Sequence, residues 1–293
     1  MELNIVAVLG AGTMGHGIAQ ICAQAGLDVR LYDLKDEFVQ AGLDRINNFL
    51  KKSIERKKIT ANESVEVLGR IKGTTQLAEA VQSADLIIEA IPEDMRLKKE
   101  FFMGLIGKCK GNSIWASNTS TLSITEMASV TDRPDKFIGL HFFNPVQLMK
   151  PIEIIKGILT ADETVKAAEA LTLKLQKTPI LVKDSPGFAS TRLGVALFLE
   201  ASKMLEEGVA SIKDIDVGAK LFYGHKMGPF ETCDLVGLDA RLNNLNSLLE
   251  STGNPKWSPP LLLRQLVASS YLGTKPGSKG GYYAYFGIDK EGA

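Results

Sequence analysis

The stretch IVAVLGAGTMGHGIAQICAQAG, residues 5–26, decides the fold class of this 293-residue chain. It opens with an apolar run typical of a buried β-strand, passes through Gly10-x-Gly12-x-x-Gly15, and continues as a helix rich in small residues. In such a unit the first glycine allows a tight turn and the second lets a pyrophosphate approach the helix N-terminus. The third permits close helix–strand packing. The stretch therefore predicts a dinucleotide-binding fold.

A carboxylate follows at the end of the next predicted strand. Asp33 closes the run DVRLYD, residues 28–33. A carboxylate in this position can accept hydrogen bonds from both ribose hydroxyls of an NAD adenosine and would repel a 2′-phosphate. Arg30 and Lys35, close by in sequence, could instead attract that phosphate. We therefore predict NAD(H) as the cofactor, with NADP(H) as the alternative.

The spacing of apolar residues changes once along the chain and divides it into two parts. Up to DSPGF, residues 184–188, short apolar runs alternate with amphipathic segments, which is typical of a parallel sheet with crossover helices; beyond it, apolar residues recur at helical spacing. We predict an α/β protein, with a Rossmann-type dinucleotide-binding domain over residues 1–184 and an all-helical domain over residues 187–293. The predicted strands cover residues 5–10, 28–33, 84–91, 113–118, 137–143, 152–157 and 179–184. The predicted helices cover residues 188–207, a segment capped by SIKD (211–214), and residues 227–250 and 259–272, the last with prolines at its start.

Composition excludes several classes of protein. Lys plus Arg and Asp plus Glu each number 34, so no global basic field attracts nucleic acid. Cys22, Cys109 and Cys233 are too few and too scattered for a disulfide framework or a zinc cage. No stretch approaches the ~20 apolar residues that span a bilayer, and the N-terminal run lacks the features of a signal peptide. We expect a cytoplasmic protein with no metal site, no nucleic-acid partner and no membrane partner.

The segment HFFNPV, residues 141–146, places a histidine at the end of a predicted strand. A dehydrogenase needs a group that accepts the hydroxyl proton as hydride leaves carbon, and imidazole suits that task because its pKa lies near the working pH. If the runs 137–143 and 152–157 form a hairpin, Glu153 faces His141. The carboxylate would then fix the tautomer through one ring nitrogen and leave the other nitrogen for the substrate.

Alternatives to this pair stay open on spacing alone. A half-buried structural histidine with a solvated glutamate fits the same pattern. His16, on the cofactor-binding helix, and His225, in the helical domain, compete for the catalytic role, although neither has an obvious carboxylate to orient it. Glu93 and Lys98 follow another predicted strand, at the sheet edge where ligands of open α/β sheets bind, but either could be a surface charge.

Six segments occur in a fixed order: GAGTMGHGIAQ, IIEAIPED, ASNTSTLSI, GLHFFNPVQLMKPIEII, KDSPGF and KMGPFETCDLVGLD. Together they resemble the L-3-hydroxyacyl-CoA dehydrogenase family, most closely its bacterial 3-hydroxybutyryl-CoA dehydrogenases. The resemblance extends over nearly the whole chain and is weakest at residues 35–80 and after residue 250. It implies an NAD-dependent enzyme of fatty acid metabolism that interconverts L-3-hydroxyacyl-CoA, of short chain length, and 3-ketoacyl-CoA.

The resemblance also implies roles for single residues. It makes His141 the general base and Glu153 its partner, while Ser120 hydrogen-bonds the 3-oxygen of the substrate. Asn144 would lie close to the nicotinamide and the reacting carbon. The cofactor contacts that it implies are Gly10, Gly12, Thr13, Met14, Gly15, Asp33, Glu93, Lys98, Ser120, Asn144 and Lys275.

One position departs from the family pattern. The family usually carries Asn in PGF-x-x-N-R, whereas this chain has PGFASTRLG with Thr191 at that place. Threonine keeps a hydroxyl but has a shorter reach and no amide. We expect Thr191 to contact the substrate, and the departure leaves the role of this position and the substrate preference open.

Coenzyme A is a polyanion and needs local positive charge. The segment NNFLKKSIERKKIT, residues 47–60, offers five basic residues on a predicted helix, although Glu55 dilutes the charge and a solvated helix face is the alternative. Of these, Lys52 and Arg56 are the predicted CoA contacts, and Arg56 falls near a CoA-contacting lysine of the family. The full basic set is Lys51, Lys52, Arg56, Lys57 and Lys58.

The predicted overall function is an oxidoreductase that binds its acyl-CoA substrate between two domains and dimerises through the helical one. Two other functions stay open. One is a related dehydrogenase that acts on a free hydroxy acid or sugar acid, which a comparison of a CoA thioester with the matching acid would detect. The other is a non-catalytic NAD-binding protein, which would bind cofactor without turnover.

Overall fold

The computed structural model describes residues 3–288. The chain divides into two compact units, Met1–Ser185 and Pro186–Ala293. Residues 1–2 and 289–293, which the predicted domains include, lie outside the described residues. Among residues 3–288, no helix has the length and apolar character that crossing a membrane requires.

The first unit is built on one eight-stranded sheet. Its strands are β1 (Ile5–Leu9), β2 (Asp28–Tyr32), β3 (Ile71–Thr74), β4 (Leu86–Glu89), β5 (Ile114–Ser117), β6 (Phe137–Phe142), β7 (Pro151–Lys156) and β8 (Thr178–Lys183). They are arranged in the order β3-β2-β1-β4-β5-β6-β7-β8, and every neighbouring pair is parallel except β6 and β7. The first six positions have the Rossmann strand order, so the predicted fold class is confirmed.

Helices cover the sheet of the first unit. They are α1 (Gly15–Gln24), α2 (Asp36–Glu55), α3 (Ala61–Gly69), α4 (Leu77–Val81), α5 (Met95–Met103), α6 (Ile124–Ala128) and α7 (Asp162–Lys174). Several begin at side-chain caps: Thr60 and Glu63 form a reciprocal capping box at α3, and Asp94 accepts the Leu97 N–H at α5. Strands β1, β4 and β5 are almost wholly buried, as expected for a sheet covered on both faces.

All seven predicted strands are present, but the sequence does not predict β3. This strand has four residues, IKGT, and only Ile71 is buried, so it carries almost no apolar pattern. It exists because its backbone pairs in parallel with β2, from Val29↔Ile71 onward. The predicted strand 84–91 is also too long, since β4 ends at Glu89 and the chain then turns toward the sheet edge.

The predicted hairpin between β6 and β7 is confirmed. The two strands are antiparallel, and His141 pairs directly with Glu153 in the ladder. Directly opposed residues place their side chains on the same face of a sheet, a few ångströms apart. The register therefore brings the imidazole and the carboxylate together without help from any other element.

The second unit is helical, and its described residues, 186–288, contain no strand beyond one isolated bridge between Gly273 and Gly280. The predicted helix 227–250 is wrong as a single element: Gly237, with φ +103°, breaks it in two. Ser211 caps its helix by accepting the Asp214 N–H, as SIKD predicts. The helices are α8 (Ser190–Glu206), α9 (Ile212–Tyr223), α10 (Pro229–Val236), α11 (Leu238–Thr252), α12 (Leu261–Ala268) and α13 (Tyr282–Tyr285).

Candidate active site

A cavity of about 860 Å³ lies at the carboxyl ends of the strands in the first unit. This edge of an open α/β sheet is where such folds bind ligands. Most of the predicted site residues of this unit meet in the cavity wall. They are Gly10, Gly12, Thr13, Met14, Asp33, Glu93, Lys98, Ser120, His141 and Asn144.

Two of the three glycines in the turn after β1 cannot be replaced without strain. Gly10 has φ +110°, and a Cβ on Gly15 would lie 1.7 Å from the Gly10 carbonyl oxygen. At Gly12, by contrast, an added Cβ would meet no atom of the described residues within 4 Å. The turn thus has open space beside the start of α1, where a helix N-terminus attracts a phosphate.

Asp33 lines the cavity together with the glycine turn. Its Oδ2 accepts the Ala11 N–H at 2.8 Å and its Oδ1 accepts the Leu34 N–H at 2.7 Å. Each carboxylate oxygen has a further lone pair, so Asp33 can still accept ribose hydroxyls. The open space at Gly12 and the placed carboxylate of Asp33 together fit a dinucleotide.

Replacing Gly15 should mainly lower stability, whereas replacing Gly12 should mainly weaken cofactor binding. Gly15→Ala should destabilise the protein by roughly 1–3 kcal/mol, because its Cβ collides with backbone that cannot yield. Gly12→Ala should leave the melting temperature unchanged yet weaken NADH binding, because its methyl group occupies the space proposed for the pyrophosphate. Thermal unfolding and NADH fluorescence titration of both variants test this. Unchanged NADH affinity in Gly12→Ala would place the cofactor elsewhere.

His141 and Glu153 form a buried pair. The distance from Nδ1 to the Glu153 Oε2 is 2.8 Å, and the residues are 8% and 1% exposed. The Phe143 ring lies beside the imidazole, with centroids 4.4 Å apart. A carboxylate can only accept hydrogen bonds, so Nδ1 carries the proton of this contact and Nε2 is the nitrogen suited to exchange a proton with a ligand.

Glu93 shapes the loop that carries Ser120. Its Oε1 accepts the Thr119 hydroxyl at 2.6 Å and the Ser120 backbone N–H at 3.0 Å, and Lys98 Nζ lies 3.4 Å from its Oε2. Glu93 and Lys98 therefore have a structural role, and the contact with a cofactor predicted for them stays a prediction. They hold the Ser120 loop at the cavity wall.

A buried network around Glu89 lies behind that loop. Lys98, 1% exposed, places Nζ 2.5 Å from Glu89 Oε1, and the Ser117 hydroxyl donates to Oε2 at 2.6 Å. The Ile91 N–H also donates to Oε1 at 2.7 Å. Burial raises the pKa of the Glu89 carboxyl, and Lys98 and the hydrogen bonds oppose that rise. The sequence motifs do not point to Glu89, and the one clue is a glutamate inside the apolar run LIIEAI.

Asn118 is a second cavity residue to which the sequence motifs do not point. Its Oδ1 accepts the Phe142 N–H at 2.9 Å, which ties the end of β5 to the end of β6 just beyond His141. Asn118 also lines the cavity. Its place in the segment ASNTS, directly after a buried strand, is the only clue in the sequence.

Lys177 anchors the loop that follows Asn144. This buried lysine, between α7 and β8, donates to the carbonyls of Val146 at 2.7 Å, Met149 at 2.6 Å and Gln147 at 3.4 Å. An ammonium has three N–H donors, which match these three acceptors. Burial lowers the pKa of Lys177, and the nearby charge of Lys150 lowers it further.

Lys177→Met should therefore disorganise the loop next to Asn144. Leaving buried carbonyls without donors costs about 1–3 kcal/mol in the free energy of unfolding, and a looser loop should lower kcat more than it raises KM. Denaturant unfolding and steady-state kinetics measure the two effects. The control is Lys174→Met, an exposed lysine one turn earlier. Equal stability of the two variants would contradict the anchoring role.

The competing histidines lie in other surroundings. His16 Nδ1 contacts the Gly12 carbonyl at 2.8 Å, and burial lowers the pKa of this imidazole. His225 is exposed in the second unit. Lys275, in the same unit, pairs with both carboxylate oxygens of Asp239 at 2.6 and 2.8 Å, and Thr191 lies in the first turn of α8. The roles predicted for Lys275 and Thr191 stay predictions.

The basic segment predicted to bind CoA is helical only in its first part. Helix α2 ends at Glu55, so Arg56 is its C-cap and Lys57 has a left-handed φ of +54°. Only Lys51 and Lys52 are on the helix, whereas Arg56, Lys57 and Lys58 lie on the turn that follows it. All five basic side chains are exposed, so they are available to a polyanion.

Comparison with known families decides what kind of protein carries this site. The family model described as "3-hydroxyacyl-CoA dehydrogenase, NAD binding domain" matches residues 5–185, and the one described as "3-hydroxyacyl-CoA dehydrogenase, C-terminal domain" matches residues 187–285. The chain belongs to the 3-hydroxyacyl-CoA dehydrogenase family. Its first unit is the NAD-binding domain of that family.

Individual relatives align with this chain over nearly their whole length. A probable 3-hydroxybutyryl-CoA dehydrogenase of Bacillus subtilis is 44% identical over 285 residues, covering 97% of this chain and 98% of the relative. A 3-hydroxybutyryl-CoA dehydrogenase of Clostridioides difficile is 41% identical, covering 96% and 99%. The crystal structure of (S)-3-hydroxybutyryl-CoA dehydrogenase from Ralstonia eutropha matches with a TM-score of 0.91 at 42% identity, covering 94% of this chain and 98% of that one.

Proposed function

We propose that the protein interconverts a short-chain L-3-hydroxyacyl-CoA, such as 3-hydroxybutyryl-CoA, and the 3-ketoacyl-CoA, with His141 as the general base and acid. The observation that carries this proposal is the 2.8 Å contact between His141 and Glu153 at the wall of the cavity that also holds the glycine turn. The relatives named as 3-hydroxybutyryl-CoA dehydrogenases support the choice of substrate.

Each side chain has one task in this proposal. NAD⁺, when bound, supplies the acceptor for the hydride that leaves C3. His141 takes the hydroxyl proton on Nε2, while Glu153 keeps the proton on Nδ1 and stabilises the imidazolium. Ser120 hydrogen-bonds the 3-oxygen, and Asn144 orients the reacting carbon. In the reducing direction, His141 returns the proton.

Gly12, Asp33 and the start of α1 would hold the dinucleotide. Initial rates with acetoacetyl-CoA, using NADH and NADPH in parallel, test both the reaction and the cofactor. We expect turnover with NADH and a much lower kcat/KM with NADPH, because the Asp33 carboxylate repels a 2′-phosphate. No oxidation of either cofactor at saturating acetoacetyl-CoA would refute the proposed reaction.

A dehydrogenase of free hydroxy acids is the second candidate. The exposed basic group from Lys51 to Lys58 argues for a CoA thioester instead, because a free acid leaves that positive surface without a partner. Parallel assays with acetoacetyl-CoA and acetoacetate decide the matter. Comparable kcat/KM for the two would favour the free acid.

We also propose a cytoplasmic homodimer. Leu221, Phe222 and Tyr223 form an exposed apolar group at the end of α9, of the kind that commonly marks an interface. Sedimentation at micromolar concentration should give the dimer mass, and Phe222→Lys should shift it toward the monomer. A monomer at every concentration would refute dimerisation.

A further inference from the structure

Asn118 has a side-chain amide whose orientation is fixed by the sheet. It directly follows β5, and its Oδ1 accepts the Phe142 N–H at 2.9 Å. A backbone N–H can only donate, so the amide oxygen must face β6 and the amide nitrogen must point elsewhere. The backbone N–H of Asn118 donates to the Glu89 carbonyl at 2.9 Å, which ties the same residue to β4. Turning the amide over would cost the bond to Phe142.

The amide nitrogen of Asn118 is free and accessible. Within the described residues 3–288, Nδ2 takes part in no hydrogen bond. The enclosed polar atoms that lack a partner in this part of the chain belong to four other side chains, so Nδ2 is reached by solvent. Because β5 is wholly buried, the accessible part of Asn118 faces the cavity that it lines. Two N–H donors are therefore open to a molecule that enters the cavity.

The side chains on either side of Asn118 already have partners. The Ser117 hydroxyl donates to Glu89 Oε2 at 2.6 Å, and the Thr119 hydroxyl donates to Glu93 Oε1 at 2.6 Å. Both donors are thus used within the protein. Asn118 differs, because its acceptor is used and its donors are not. An amide held in this way offers a positioned donor to a ligand and loses little conformational entropy when the ligand binds.

The strand order places Asn118 toward the nicotinamide end of a bound dinucleotide. Asp33 follows β2, the glycine turn follows β1, and Asn118 follows β5, two strands beyond β1 in the sheet. Neighbouring strands are about 4.8 Å apart, so Asn118 lies roughly 10 Å from the glycine turn across the sheet. A dinucleotide with its adenosine at Asp33 and its pyrophosphate at Gly12 would extend in this direction. The part that reaches β5 and His141 would be the nicotinamide.

We propose that Asn118 binds the carboxamide of the nicotinamide, with Nδ2 donating a hydrogen bond to the carboxamide oxygen. An amide nitrogen can only donate, so only the oxygen of the carboxamide can be its partner. The bond would limit rotation of the nicotinamide about its ribose bond, which a hydride acceptor needs in order to present one face to the substrate. The inference rests on the proposed function only in that this cavity holds the dinucleotide.

Binding measurements with NADH and with ADP-ribose, which lacks the nicotinamide, test this contact. Asn118→Asp keeps an acceptor for the Phe142 N–H but has no N–H donor. It should weaken NADH binding roughly 10- to 100-fold, since a carboxylate would face the carboxamide oxygen. Asn118→Ala should weaken it roughly 3- to 10-fold, as expected for one neutral hydrogen bond. Both variants should bind ADP-ribose as the wild type does. Calorimetric titration at an ionic strength of about 0.15 M, which screens the added charge, measures these affinities.

Thio-NADH tests the carboxamide oxygen itself, because sulfur, a weaker acceptor, replaces that oxygen. The wild type should bind thio-NADH roughly 3- to 10-fold more weakly than NADH. Asn118→Ala should bind the two with nearly equal affinity, because the donor is gone. Asn112→Asp, the same change as Asn118→Asp at an exposed asparagine before β5, is the control and should keep the wild-type affinities.

The outcomes separate a contact with the cofactor from a purely structural role. If Asn118→Asp binds NADH as tightly as the wild type, Nδ2 does not donate to the cofactor and the proposal is overturned. It is also overturned if a variant weakens NADH and ADP-ribose by the same factor, because the residue then acts on the whole site through its bond to Phe142. A wild type that binds neither molecule would refute the dinucleotide site itself. None of these measurements needs turnover of acetoacetyl-CoA, so they are independent of the proposed reaction.

Discussion

His141→Ala is expected to lower kcat for acetoacetyl-CoA reduction by roughly 10²–10⁴-fold, the usual contribution of a positioned general acid or base. Binding of NADH should be little changed, because the groups proposed to hold the dinucleotide are the glycine turn and Asp33, which line the same cavity but belong to other segments of the chain than His141. Glu153→Gln should have a smaller but clear effect, since an amide can still contact Nδ1 but cannot stabilise the imidazolium as a carboxylate does.

Stopped-flow or steady-state rates, together with NADH fluorescence titration, measure these effects. His225→Ala, an exposed histidine of the second unit, is the matched control and should keep wild-type rates. Full turnover by a folded His141→Ala that binds NADH would refute the assignment of the general base. Loss of NADH binding in that variant would instead show that His141 belongs to the cofactor site.

Lys98→Met is expected to produce the largest loss of stability. It leaves the Glu89 carboxylate, 0% exposed, without its 2.5 Å partner. Breaking a buried ion pair from one side costs about 3–5 kcal/mol, because an uncompensated charge stays in the interior. Lys99→Met is the control: its contact with Glu126 at 3.0 Å is partly exposed, and such pairs contribute about 0–1 kcal/mol.

The pH dependence of this loss follows from the direction of the Glu89 shift. A carboxyl whose folded pKa is raised favours the folded state below its unfolded pKa, and that contribution is lost as the pH rises through the folded value. The destabilisation by Lys98→Met should therefore be largest near neutral pH and shrink as the pH falls. Urea unfolding across this pH range measures it. Adding Glu89→Gln to Lys98→Met should recover part of the loss, and a strictly additive double variant would contradict the coupling.

The sequence predicts the α/β fold and the His141–Glu153 pair because both depend on short-range patterns. The glycine turn follows a buried strand directly, and the hairpin register depends only on alternation along two strands. Strand β3 could not be predicted in this way, since a single buried Ile71 gives no periodicity and the pairing with β2 supplies the rest.

The partners of buried charged residues could not be predicted either. Lys98 and Lys177 look like solvated charges in the sequence, yet one reaches Glu89 and the other reaches carbonyls about thirty residues earlier in the chain. Such features depend on which side chains the tertiary fold brings together.

The direct pairing of His141 with Glu153 also limits how this enzyme can be engineered. Side chains alternate between the two faces of a strand, so sliding β7 by one residue would carry the acid to the opposite face. A chimera that carries the turn between β6 and β7 from another dehydrogenase should be active only if it keeps this strand alignment. The length of the grafted turn itself is then unimportant. A deletion scan of that turn should therefore yield folded but inactive proteins wherever the alignment slips by a single step.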